Sequence, residues 1–394
     1  MATTTPAHGN AMLTKLWKVE TYSSGPLGIG DGVIYAPLLE GEKHFAALDT
    51  ATGAPRWKTR GYGSLPPRFA AVVTEGAVVI QKYAPTRPKV LMVVDRQSGQ
   101  TLRDVRCAGP EPSALDGTSA HVYGPFRIGQ LVVCGTYGPL AQALRDANRH
   151  ADPPPRGHVT ASDPLTGKVA WDVELPEGMV THNVLSDGER IFVGGRQTAA
   201  GTSDENQDWQ GRLLALRGSD GKKLWESEPG PALNGAGDGV VLADMRGTRT
   251  RPQHTAVSDY APNELVAFDA ATGAIRFRRT MLTGWTSFIT GDRVICVDPH
   301  TDGAVALDIT TGAELWAAPS PHPAELRQPS ATIHGRSFAA CAGCVWITGS
   351  QGRMIGFDLA TGAFHRTNVR GFTLASDGQR LFVGDAASLT AFGF

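Results

Sequence analysis

A ten-residue unit written seven times along the chain narrows the fold more than any other feature. The copies read LDTATGAPRW (48–57), VDRQSGQTLR (94–103), SDPLTGKVAW (162–171), LRGSDGKKLW (216–225), FDAATGAIRF (268–277), LDITTGAELW (307–316) and FDLATGAFHR (357–366). Each leaves an apolar strand end, usually through an Asp, and passes a small polar residue before a Gly. That is the chemistry of a β-hairpin turn. Glycine reaches positive φ without steric cost, and Asp carboxylates and Thr hydroxyls hydrogen-bond turn amides. The acidic residues are therefore turn formers before they are catalysts. Trp57, Trp171, Trp225, Phe277 and Trp316 follow four residues after the Gly. On an outgoing strand, such flat side chains are expected to cover the face shared with a neighbouring sheet.

Upstream of the turns stand eight short apolar runs: GVIYAP (32–37), AVVIQK (77–82), QLVVCG (130–135), RIFVGG (190–195), GVVLAD (239–244), RVICVD (293–298), CVWITG (344–349) and RLFVGD (380–385). With a weaker strand before each, every unit holds four strands, and sheets repeated about an axis make a propeller. The 47 glycines, 26 prolines and lack of sustained helical periodicity agree with many short strands and turns. The final segment LFVGDAASLTAFGF stops where an eighth turn would begin, and AMLTKLWK resembles the strand that follows such a turn. The expectation is an all-β, eight-bladed propeller of four-stranded antiparallel blades, a single domain over 1–394 in which residues 13–20 complete the last blade with 371–394. Such closure removes two sheet edges that would invite aggregation.

The Asp-x-x-Thr-Gly-x-x-x-Trp pattern, clearest at Asp49/Thr52/Gly53/Trp57, Asp163/Thr166/Gly167/Trp171 and Asp308/Thr311/Gly312/Trp316, resembles the pyrroloquinoline-quinone-like (quinoprotein-type) propeller repeat. The resemblance covers essentially the whole chain. It implies the fold shared by quinoprotein alcohol dehydrogenases and the outer-membrane assembly propeller lipoproteins, and says little about function. It also implies, for a quinone-dependent enzyme, a disulfide of adjacent cysteines and calcium ligands beside the cofactor. This sequence has no adjacent cysteine pair, so no quinone cofactor is expected. The lipoproteins carry an export signal ending in a lipidated Cys, which the first residues here do not resemble.

Composition points to local rather than global recognition. A formal net charge of -1 provides no field favouring nucleic acid or an anionic membrane. The N-terminus shows no cationic segment followed by an apolar core, and no stretch of eighteen apolar residues follows. Five cysteines, an odd number without a small-domain framework, fit a reducing compartment. A cytoplasmic monomer without nucleic-acid or membrane partners is expected.

Propeller ligand sites are funnels at one end of the axis, lined by loops and by the start of each innermost strand. Counting back from each inner-strand turn gives Phe69, His121, Thr181 with His182, Leu233, Trp285, Arg336 and Phe372, with Arg68, Tyr123, Asn183, Asn234 and His334 adjacent. Imidazoles, a guanidinium and aromatic faces suit a planar or anionic small molecule. His182, His121 and Arg336 are the candidates for proton transfer, the others for ligand binding. His182 stands out because a His-Asn pair interrupts a strand whose other copies are small or apolar.

Three insertions break the even spacing of turns: 136–160, 196–211 and 245–263. Leu140, Ala143, Leu144 and Ala147 in the first can line one face of a short helix. Asp204, Asn206 and Asp208 in the second alternate as calcium ligands do, but Trp209 and Ala215 occupy the Gly and Glu positions of an EF-hand loop, so a solvated acidic loop is expected and no metal. The third carries Arg246, Arg249, Arg251 and His254, one short basic loop. Cys341 and Cys344 form a CxxC without a second pair and are read as coincidence. Two functional classes stay open. One is a scaffold binding a small molecule or a protein at the funnel face; the other is a lyase, cyclase or isomerase using funnel His and Arg residues.

Overall fold

The computed structural model describes residues 13–20, 27–40, 42–60, 71–82, 90–107, 122–136, 157–176, 179–197, 211–230, 232–245, 263–281, 286–297, 303–319, 337–348, 352–385 and 387–394. These form eight four-stranded antiparallel sheets and no α-helix. Each of the first seven sheets is contiguous in sequence. Blade 1 begins at Gly28–Gly30, blade 2 at Val72–Val73, blade 3 at Val122–Ile128, blade 4 at Met179–Ser186, blade 5 at Ala232–Gly237, blade 6 at Thr286–Thr290 and blade 7 at Phe338–Cys341. Blade 8 takes Thr373–Ser376, Leu381–Gly384 and Leu389–Gly393 from the end of the chain and Thr14–Val19 from its start. The first strands of successive blades touch from blade 1 through blade 6, and again from blade 7 through blade 8 to blade 1. First strands are therefore innermost, around the axis, and fourth strands lie at the rim.

The core is divided among the gaps between blades. Eight apolar clusters fill eight gaps, each drawing residues from two neighbouring sheets. In blade 1, Ile34, Ala36 and Leu38 face blade 8 while Val33 and Tyr35 face blade 2. A strand buried on both faces needs an unbroken apolar run. This explains why the runs do not alternate with polar residues.

The repeated aromatic residue latches one blade to the next. Trp225 on the rim strand of blade 4 donates its indole N–H to the Ala270 carbonyl of blade 5 at 3.0 Å, and its ring lies over Gly273 of the same turn. Trp57 reaches Arg96 and Gly99, Trp171 reaches Gly218 and Gly221, and Trp316 reaches Leu359 and Gly362 in the same way. Phe277 covers Gly312, and Arg103, the substitute in the second copy, lies over Gly167. Ring closure repeats the device. Trp17 donates to the Thr50 carbonyl at 3.0 Å and covers Gly53, so the first strand of the chain latches blade 8 to blade 1. The strand itself pairs antiparallel with Leu389–Gly393, as expected from the sequence. The seventh copy has Arg366 in place of the aromatic. The blade it precedes makes its rim from two separate chain segments rather than a hairpin.

One covalent feature differs from expectation. Cys107 and Cys134 are joined in a disulfide that ties the rim strand of blade 2 to the second strand of blade 3, with Cα atoms 6.1 Å apart. Their separation of 27 residues hides a proximity created by adjacent blades.

Candidate functional site

Strand direction sorts the polar residues to two ends of the propeller. The Asp-Thr-Gly turns join third to fourth strands, at the end where innermost strands finish. Innermost strands start at the opposite end. There too the second strands of blades 3, 4 and 5 finish and the third strands begin, at Thr136 and His158, Gln197 and Gly211, and Met245 and Asn263. All three insertions thus spring from the end where the funnel residues were placed.

The turn end is chemically committed. Asp49 Oδ1 accepts from the Ala51 and Thr52 amides and the Thr52 hydroxyl, and Arg56 donates to Oδ2 at 2.7 Å. Asp269 repeats this with Thr272 and Arg276. The guanidinium beside each carboxyl, aided by those turn donors, holds Asp49 and Asp269 at about 2. Asp95 and Asp308 are lowered by hydrogen bonds from Ser98 and Thr311. Carboxylates saturated in this way shape turns and do not take up protons near neutrality.

The opposite end is irregular. Innermost strands of blades 3, 4 and 5 carry bulges between Tyr123 and Phe126, between Thr181 and Asn183, and between Leu233 and Gly235. Gly124 and Pro125, His182, and Asn234 are the inserted residues. A bulge bends a strand and re-aims a side chain. Three successive bulges therefore mark this arc of the axis, whereas the innermost strand of blade 6 pairs without one. Asn183 Nδ2 donates to the Leu233 carbonyl at 3.1 Å and ties blade 4 to blade 5. Asn234 Nδ2 and Ser287 Oγ on the next two blades are buried and find no hydrogen-bond partner among the described residues. Buried polar groups of this kind ordinarily bind water or a ligand.

The candidates from sequence divide accordingly. Asn183 and Asn234 are placed together on adjacent blades, with Thr181 buried beside the His182 bulge. His182 and Tyr123 lie in innermost strands, and their side chains are outside the described residues. Phe372 is 57% exposed at the start of the innermost strand of blade 8, its ring resting on Gly352. Arg68, Phe69, His121, Trp285, His334 and Arg336 lie outside the described residues, as do Asp204, Asn206 and Asp208 and the helix read around 140–147. Two groupings escaped the sequence. At the insertion end His158 stands 3.5 Å from Asp172, whose other oxygen accepts from Thr160 at 2.6 Å. At the turn end Cys344, Asp358 and His365 converge in blade 7, with ligand atoms within 4.8 Å of one another. The CxxC was visible, but its two further partners are fixed only by strand register.

These residues do not fit a quinone cofactor of the dehydrogenase kind. The disulfide joins nonadjacent cysteines in separate blades. The one group of three potential metal ligands among the described residues contains a thiol and an imidazole, which calcium disfavours.

A family model described as the outer membrane protein assembly factor BamB matches residues 10–177, 154–251 and 210–392. No curated protein sequence matches. Among solved structures, BamB from Moraxella catarrhalis is 16% identical with a TM-score of 0.59, and 98% of each chain is covered. The quinohemoprotein alcohol dehydrogenase from Comamonas testosteroni is 12% identical with a TM-score of 0.60, covering 98% of this chain and 78% of that one. The Dos1 propeller is 10% identical with a TM-score of 0.58, covering 97% and 95%. Identities this low establish the shared fold.

Proposed function

For a chain that belongs to the family of the outer membrane protein assembly factor BamB, we propose a binding scaffold that seats a small molecule or a protein segment at the insertion end of blades 4 to 6. The observation that carries this reading is the pair of buried, unpartnered donors on neighbouring innermost strands, Asn234 Nδ2 and Ser287 Oγ. Together with Asn183 and Thr181, they make a surface of amides and hydroxyls, groups that orient a ligand without titrating. Exposed Phe372 adds an aromatic face at the same end. Among the described residues the lowered carboxylates are turn Asp residues at the other end, apart from Asp385, whose oxygens accept from the Ser388 amide and hydroxyl.

A thermal-shift and calorimetric screen of metabolites and short peptides tests it, with wild type compared against Asn234→Ala. A ligand that raises the wild-type melting temperature is expected to bind the variant about tenfold more weakly, the cost of one lost hydrogen bond to a buried group. Equal affinity for both proteins would place the site elsewhere. Conversion of the ligand, abolished in His182→Ala, would establish the enzymatic alternative through His182, His121 and Arg336.

A further inference from the structure

We propose that Cys344, Asp358 and His365 form a site in blade 7 for one divalent cation of the zinc class. Asp358 is shared with most other copies, but the other two ligands sit where the blades compared have residues that cannot serve. The residue opposite the turn Asp is Val33 in blade 1, Ala77 in blade 2, Val240 in blade 5 and Arg293 in blade 6. In blade 7 it is Cys344, directly opposite Asp358. The residue seven positions after that Asp is Arg56, Leu102, Ala170, Arg276 or Leu315 in other copies, and His365 here. Where it is Arg, the guanidinium neutralises Asp Oδ2 and offers no lone pair. Imidazole places a nitrogen within 4.8 Å of the carboxylate and, unlike guanidinium, can offer a cation a lone pair. Two independent positions thus become ligands in the same blade.

Register puts all three side chains on one face. Cys344 pairs with Asp358, His365 pairs with Gly356, and Gly356 lies two residues before Asp358 on the same strand. The Trp346 ring packs directly over Gly356, and its centre stands 6.4 Å from that of the His365 ring. Asp358 Oδ1 accepts from the Ala360 and Thr361 amides and the Thr361 hydroxyl, which fixes the carboxylate, and one of its oxygens lies within 4.8 Å of the other two ligand atoms. Separations within 4.8 Å need to contract by about an ångström to the roughly 3.5 Å between donors in a tetrahedral zinc site, a change within side-chain rotation. Binding breaks the Cys344 S–H bond, forms the sulfur–metal bond and releases the proton to solvent. A thiolate, a carboxylate and a neutral imidazole then balance a charge of two, which suits a half-buried place. Water completes the fourth position. Cys341, opposite Cys344 across the hairpin, is not one of the converging group and stays outside the ligand set.

The full-length protein, stripped with chelator and titrated with zinc, is expected to retain one equivalent after gel filtration. Cys344→Ser and His365→Gln should each weaken binding by more than about 100-fold, beyond the loss of an outer partner. Cys341→Ser and Cys296→Ser should keep the full equivalent. Cobalt added to wild type should give a thiolate-to-metal charge-transfer band in the near ultraviolet, a readout independent of whether the variants fold. Absence of stoichiometric zinc, absence of that band, unchanged affinity in Cys344→Ser or His365→Gln, or loss of zinc in Cys341→Ser would overturn the proposal.

Discussion

At Gly273 the backbone takes a φ of +74°, and a Cβ added there would lie 2.7 Å from the Trp225 ring. Backbone conformation and close approach thus demand glycine at the same atom. The Trp225 ring also packs with Phe192 on its own blade and Phe268 on the next. Trp225→Ala removes the hydrogen bond to Ala270 and leaves a void between two sheets. A loss of about 3–5 kcal/mol is expected in urea unfolding; a loss below about 1 kcal/mol would show that the latch contributes little. Sequence alone displayed the spacing of Gly and Trp within each copy. Packing of the ring against a neighbouring sheet was expected from it, but not that the ring covers the Gly of the following copy's turn and donates to a carbonyl there.

Within the turns, charge gives the repeat its pH dependence. Asp49 and Asp269, held at about 2 first by Arg56 and Arg276, titrate near 3.9 in an unfolded chain. The folded state therefore prefers the ionised carboxylate. Its stabilisation is complete above about pH 4 and is lost as pH falls towards about 2. Asp269→Asn already lacks the charge. The stability difference between wild type and this variant should shrink over that interval, measured by urea midpoints at each pH. A constant difference would mean that the Arg276 pairing does not act on the folded state. The strands were legible because burial on two faces writes continuous apolar runs, and the turns because Gly and Asp have local jobs. The bulges at His182 and Asn234 were not, since a bulge changes register without changing composition. His182 was nevertheless singled out because a polar pair broke an apolar strand. The Cys107–Cys134 bridge and the Cys344–Asp358–His365 cluster depended on which strands become neighbours, and spacing does not record that.

At the scale of the molecule, identical gaps filled by similar clusters make a ring whose stability rests on every interface, including the one between its chain ends. There, Trp17 packs 5.9 Å from Phe382, donates to Thr50 and covers Gly53. Arg380 of blade 8 adds a hydrogen bond to the Thr50 hydroxyl at 3.2 Å. The repeated turns foretold closure from the sequence, since the first strand resembles the one that should follow the last. Function remained less legible for the same reason: what the copies share builds the ring, and the proposed binding groups lie where the copies differ. Equilibrium urea unfolding of a chain lacking residues 1–20, beside the full-length protein, tests the closed ring most directly. The whole transition is expected to move to a markedly lower midpoint, because the deletion strips the rim strand from blade 8 and removes the Trp17 latch that closes the ring. An unchanged midpoint and slope would contradict it.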